Sequence, residues 1–167
     1  MRLFDRAGLP QAAFSSLSEA LGHRVRVLAW AHGEPGPVVG LADRLGIQGA
    51  DGWRFIGWHE VATGGWDAET GRLRWTLTDG FSDAIVLDDP GSLPDLFRER
   101  VDASIVVQQR LELSRGRAAM IVARRRLDAE GQPLIWSVTR HGGNWDTAQA
   151  DRADAELAWL KGEYDIA

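Results

Sequence analysis

Trp53-Arg54-Phe55-Ile56-Gly57-Trp58-His59-Glu60-Val61-Ala62-Thr63-Gly64-Gly65-Trp66-Asp67-Ala68-Glu69-Thr70-Gly71-Arg72-Leu73-Arg74-Trp75-Thr76-Leu77 is the stretch whose reading decides the fold, and it holds four of the chain's eight tryptophans. After Gly71, Leu73, Trp75 and Leu77 alternate with Arg72, Arg74 and Thr76, a period of two that gives a strand one buried and one wet face. Before it, Trp53 to Val61 is rich in aromatic and apolar residues and reads as the preceding strand, with Gly64-Gly65 interrupting it as a bulge or bend. Asp67 opens the connecting turn and Gly71 stands where a left-handed backbone is expected. The sequence therefore predicts a hairpin at the centre of the fold.

Working outward, Pro10 to Gly22 has the spacing of a short amphipathic helix, with Ala13, Leu17, Ala20 and Leu21 on one face and Gly22 as its stop. Arg24 to Ala31, Val38 to Ala42 and Leu45 to Gln48 read as strands, and Asp83 to Leu87 as another beyond the hairpin. Ser92-Leu93-Pro94-Asp95 starts a second helix, the Ser92 hydroxyl being expected to accept from the Asp95 amide. Helical spacing gives way to β-branched residues somewhere in 105–107. Val106 to Leu113, Ala118 to Leu127 and Leu134 to Arg140 then read as strands, and Asp146 with Gln149 caps a last helix whose Ala153, Leu157, Leu160 and Tyr164 form an apolar stripe. Connections this short allow only antiparallel pairing. The expected class is α+β, mainly antiparallel β. The expected divisions are a helix in 1–23, a helix-capped partial barrel in 24–110, and a hairpin-and-helix extension in 111–167 that packs on the barrel in one unit.

Composition excludes several chemistries. There is no cysteine, which removes disulfides, thiolate nucleophiles and Cys-bound metal centres. Lys161 is the only lysine beside 18 arginines, and it falls on the last helix, away from any phosphate loop or Schiff-base pocket. The N-terminus carries Arg2, Asp5 and Arg6 and no apolar run of signal-peptide or membrane-span length, so a cytoplasmic chain without a membrane span is expected. The net charge of −5 is uneven: 12 acids face 8 bases in 1–92, 4 face 8 in 93–127, and 8 face 3 in 128–167. An acidic whole speaks against general nucleic-acid binding, while leaving room for a local basic patch.

That patch, if formed, would use Arg115, Arg117, Arg124 and Arg126 on one strand and its turn, with Arg125 facing the other way. Guanidinium pairs suit an anion or an acidic partner, with nucleic acid as a subset. Against this stands a solvated sheet edge blunted by charge. His59-Glu60 opens like a zinc-binding helical motif, but Thr63 occupies the second histidine's place and the segment reads as strand. Asp83, Asp88 and Asp89, with His59, are the candidates for a divalent cation or a small active site; an acidic turn before Pro90-Gly91 is also a common solvated loop. Ser82 sits in a loose nucleophile-elbow pattern, yet a strand follows it where a helix is required. No glycine array with dinucleotide spacing is present, so no cofactor is expected, and no catalytic residue or metal site is assigned. Among the tryptophans, alternation places Trp75 and Trp136 in the core, whereas Trp53, Trp58 and Trp145 are candidates for a ligand or partner surface.

A run of short antiparallel strands closed by one amphipathic helix is the element order of pleckstrin-homology-like domains. The segment Phe55-Ile56-Gly57-Trp58-His59-Glu60-Val61 before Trp66-Asp67 is similar to a strand of the bacterial PH-like domains. Over most of its length the chain also resembles a family of actinobacterial proteins, through Phe97-Arg98-Glu99-Arg100-Val101-Asp102-Ala103-Ser104-Ile105-Val106-Val107-Gln108 and Ala123-Arg124-Arg125; that resemblance implies no activity. The PH-like resemblance implies a binding or scaffolding module. Phosphoinositide-binding members use Lys and Arg in the first strand-to-strand loop, where this chain has His32, Glu34, Pro35 and Pro37, so lipid headgroups are not the expected ligand. The expectation is a non-catalytic protein-interaction or ligand-binding module with an unidentified protein partner or a homodimer through a sheet face or open edge. Its alternatives are anion or nucleic-acid binding by the Arg115 to Arg126 strand, and an enzyme or cation binder using Asp83, Asp88, Asp89 and His59.

Overall fold

Trp58 divides the expected first strand of the hairpin in two. The computed structural model describes residues 8–165, so Arg2, Asp5 and Arg6 of the N-terminus lie outside the described residues. Strand β4 (Gly52–Gly57) ends where a single 3-10 turn begins at Trp58–Glu60, and β5 (Val61–Asp67) follows before β6 (Arg72–Leu77). The turn is set by Gly57, whose N–H donates to Glu60 Oε2 at 2.6 Å, and by Trp58, whose ring is fully buried. The local residue types are those of a strand; burial of the indole in the turn overrides them.

Before β4 come α1 (Gln11–Leu21), β1 (Ala29–Gly33), β2 (Pro37–Gly40) and β3 (Arg44–Gly49); after β6 come β7 (Ser82–Asp88) and α2 (Leu93–Ser104). All pairings are antiparallel and the sheet order is β4-β3-β2-β1-β7-β6-β5. Strands β4 and β5 are thus the two edges of one seven-stranded sheet, with only three residues between them. A sheet whose edges are joined by one turn has to curl, and this one is a half-barrel. The first strand is shorter than its apolar run: β2 offers partners from Pro37 to Gly40 alone, which match His32 back to Ala29. Val25 and Val27, upstream of it, pack with α1 instead.

The half-barrel's interior holds Leu45, Ile56, Trp58, Val61, Leu73, Trp75, Ile85 and Leu87. Helix α2 closes it with Leu93, Phe97 and Val101, spaced by four so that they share one face. Phe97 meets Trp58 edge-on, with ring centroids 5.7 Å apart and planes at 87°. The close approach needs glycine, since a Cβ on Gly64 would stand 2.7 Å from the Phe97 ring. Ser92 is not extended (φ −89°, ψ 1°) and its hydroxyl makes no cap, contrary to expectation. On the outer face, α1 lays Leu17 against Val39 and Leu41, with Trp53 and Phe55 beside them. Gly22 ends α1 in the left-handed conformation, at φ 76°.

The changeover from helix to strand falls between Ser104 and Ile105. Strands β8 (Ile105–Ser114), β9 (Arg117–Arg124) and β10 (Ile135–His141) form a separate three-stranded sheet, ordered β10-β9-β8, and do not extend the first. Helix α3 (Thr147–Tyr164) covers one side of it through Ala153 and Leu160, capped reciprocally by Asp146 and Gln149 at 2.8 and 3.0 Å. Tyr164, expected on the apolar stripe, is 50% exposed and meets only the edge of Trp136. The class is α+β, mostly antiparallel. No helix among the described residues is long and apolar enough to cross a membrane.

Trp58 carries the prediction that follows from this arrangement. Its Nε1 donates to the Leu41 carbonyl at 2.9 Å. Trp58→Ala is expected to cost about 3–5 kcal/mol, and Trp58→Phe, which keeps a ring against Phe97 but strands that carbonyl, about 1–3 kcal/mol. Urea unfolding followed by circular dichroism measures both; a Trp58→Phe variant as stable as the native chain would refute the role given to the indole bond, and equal losses in the two variants the role given to the ring.

Candidate functional site

The outer edge of β5 is where the molecule opens. Strand β5 pairs with β6 and has no neighbour on its other side, and its Thr63, Gly64 and Gly65 are exposed. A groove of about 770 Å³ runs across β5, β6 and β7, lined by Thr63 to Asp67, Arg74 to Thr76 and Ser82 to Ala84. Register explains its shape. Gly65 stands opposite Arg74 and Arg74 opposite Ala84, so a row that begins and ends in small residues leaves a depression beside one long side chain. Gly64, opposite Trp75, is in the row that faces the core.

Two ion pairs border the groove, Arg74 with Asp67 and Arg54 with Asp83, each at 2.9 Å. The hydrogen bonds that Thr70 and Glu69 donate, with Arg74 adding to them, hold the Asp67 carboxyl below its ordinary value. Trp75 is 2% exposed, and its indole N–H has no hydrogen-bond partner among the described residues. The Arg54 guanidinium lies over that ring at 5.9 Å from the centroid. Thr76 Oγ1 and Ser82 Oγ are 2.8 Å apart. The groove's lining contains no histidine, cysteine or lysine to activate either hydroxyl. Its chemistry is hydrogen bonding, apolar contact and the exposed backbone of an unpaired strand.

Apart from Asp83 and Ser82, which line the groove, the residues singled out from sequence do not gather here. Trp58 and Arg124 leave the partner surface altogether, being 0% and 3% exposed. Trp53 is half-buried, with Nε1 bonded to Ser16 Oγ at 3.0 Å, and Trp145 is half-buried under the Arg140 guanidinium at 5.0 Å. Arg115 and Arg117 stand exposed at the β8–β9 turn; Arg126 lies beyond the opposite end of β9, paired with Asp128 at 2.6 Å. Eight strand residues at about 3.3 Å each put those ends more than 20 Å apart. The arginines therefore form no common patch.

The acidic candidates separate as well. Asp83 is held by Arg54, Asp88 faces His32 across β1 and β7, Asp89 is in the following turn at φ 48°, and His59 is on the 3-10 turn. Among the described residues no three His, Cys, Asp or Glu side chains gather as a metal site. His59 belongs instead to a mixed-charge cavity of about 340 Å³ lined by Asp43, Arg44, Glu60, Arg126 and Asp128. There Asp43 and Asp128 are bound to their neighbours Arg44 and Arg126, both at 2.6 Å, and Arg44 also stands 4.0 Å from Asp128, which ties the half-barrel to the segment after β9.

Arg124 ties the two sheets at a second point. Its guanidinium donates to the Ala62 carbonyl of β5 and to Ser137 Oγ of β10, both at 3.2 Å, while its Nε has no partner. Burial alone pushes its pKa down, and no carboxylate offsets it. Of the groove residues, only Asp83 and Ser82 are singled out by the sequence, for other chemistry; the rest are missed. The signal available was Gly64-Gly65 inside a strand, a pattern that marks close approach by another backbone or ligand as well as a bend. Compared with protein-family models, curated proteins and solved structures, the chain matches none.

Two expectations follow. Arg124→Ala should lower stability by about 1.5–3 kcal/mol through loss of two charge-assisted bonds, whereas Arg126→Ala, at a solvent-exposed pair, should leave it nearly unchanged. Equal effects in denaturant titrations would overturn the contrast. His59 is the second. Burial, partly opposed by Glu60, lowers its pKa in the folded chain, so the unfolded chain binds the proton first as pH falls. Its contribution is complete above the unfolded value of about 6.5 and is lost as pH falls below that toward the folded value. The melting temperature should drop between about pH 7 and pH 5 more in the native chain than in His59→Gln; identical profiles would remove His59 from the pH response.

Proposed function

We propose that the chain is a non-catalytic binding module on a pleckstrin-homology-like half-barrel, and that it takes an extended segment of a partner protein along the free edge of β5. The observation that carries this is the exposed Thr63-Gly64-Gly65 on an unpaired edge strand that also walls the groove of about 770 Å³. An unpaired strand presents a row of amide donors and carbonyl acceptors, and an extended chain can complete the ladder. Main-chain bonding would give affinity, and the groove beside Arg74, Thr76 and Ser82 would receive alternate side chains of the segment. Glycine suits this place because it keeps bulk off the strand where a second backbone approaches. The strand order with α2 at the mouth supports the PH-like part of the reading.

Gly65 provides the test. Its φ is not left-handed and a Cβ there would meet nothing within 4 Å, so Gly65→Leu fills the groove without straining the strand. Selection of peptides from a random library, followed by amide hydrogen exchange, should show protection at residues 63–66 in the bound state and loss of binding in Gly65→Leu at unchanged melting temperature. Bound peptides that protect other amides and tolerate Gly65→Leu would refute the assignment.

A further inference from the structure

Trp159 is 58% exposed on α3, while the other seven tryptophans of the chain are buried or half-buried. Helix α3 faces the three-stranded sheet with Ala153 and Leu160. A solvated helix normally carries charge on its opposite side. Here that side presents Ala148, Ala155, Ala158 and Gly162 around Trp159, with Asp151 at its N-terminal end, all exposed. Charge sits toward the two ends of the same strip: Arg152, Ala155, Trp159 and Glu163 follow one another at spacings of three and four, the spacing of neighbours on one helix face. Arg152 and Glu163 are about 16 Å apart along the axis, too far to pair within one helix. Neither forms an ion pair among the described residues.

We propose that α3 is a self-association surface, pairing antiparallel through its Trp159 face with α3 of a second copy of this chain, about a two-fold axis that crosses the helix at the height of residue 157. That axis lays each Trp159 over the partner's Ala155 and sets each Arg152 against the partner's Glu163. The strip is complementary to itself only in this sense. A parallel pair would bring tryptophan onto tryptophan and arginine onto arginine. Two-fold pairing uses one patch twice, so one large ring over one small residue is repeated symmetrically, and small side chains let the helix backbones come close. The surface is separate from the β5 edge and does not depend on it.

Sedimentation velocity over a concentration series should show a monomer–dimer equilibrium. Trp159→Glu, at an exposed position that leaves the circular dichroism spectrum and melting temperature unchanged, should raise the dimer dissociation constant on the order of thirtyfold or more. Arg152→Glu should weaken the dimer several-fold at low salt, and Arg152→Glu with Glu163→Arg should restore it. A chain that stays monomeric at every concentration overturns the proposal, as does a dimer that Trp159→Glu leaves intact. A dimer that the double exchange fails to restore overturns the antiparallel arrangement.

Discussion

Three residues join the two edges of the seven-stranded sheet, and the rest of the structure depends on that link. A flat sheet of this order would put six strand spacings of about 4.8 Å between β4 and β5, a span of more than 25 Å that a three-residue turn does not cover. Curling is therefore imposed by connectivity. The curl makes an interior, and the interior is filled from the link itself: Trp58 turns inward, bonds to the Leu41 carbonyl and receives Phe97 edge-on. The same residue that closes the sheet thus seats the helix that caps it. Gly40 and Gly64 let α2 come close from both halves, with Leu96 over one and Phe97 over the other.

Besides Leu127, which packs on the half-barrel core, the second sheet is held by charged side chains at two places of different character. One is the mixed-charge cavity around His59, where Arg44 of the half-barrel faces Asp128 after β9 at 4.0 Å, a partly exposed pair that contributes little. The other is Arg124, where a buried guanidinium spans Ala62 and Ser137. Its desolvation is costly, and without a carboxylate the return is only two bonds and the contacts of its stem. What the arrangement offers is direction: the planar guanidinium fixes β9 against β5 at the residue before the edge strand becomes exposed. The junction thereby sets where the free edge begins.

Those features that depend on spacing alone were legible in the chain. The alternation of Leu73, Trp75 and Leu77, the turn from Asp67 to Gly71, the Asp146 and Gln149 cap, and the stop at Gly22 each follow from local geometry, and each is found. The division of the opening stretch was not, because Phe55 to Val61 has strand composition throughout and only the location of its partners breaks it. The arginine strand failed for a related reason. Alternation says which side chains share a face, but not that Ala62 and Ser137 lie above that face and enclose Arg124. The groove was the least legible feature, since it is made by register across three strands.

Edge strands are a liability that folded chains blunt with charge, proline or a bulge. Here the two edges of the curled sheet are treated differently. Along β4, alternate residues Trp53 and Phe55 turn to α1, and Arg54 reaches over Trp75 to Asp83, so its side chains are engaged on both faces. Along β5, the register shift between Val61 and Thr63 comes first, Arg124 takes the Ala62 carbonyl, and protection stops there. The next three residues carry no charge and almost no side chain. Nothing in the packing demands this of Gly65, around which a Cβ would find open space, whereas Gly64 is required by Phe97. Gly64 is thus explained by the core, and Gly65 by what it leaves accessible: an edge protected up to Ala62 and bare immediately after it.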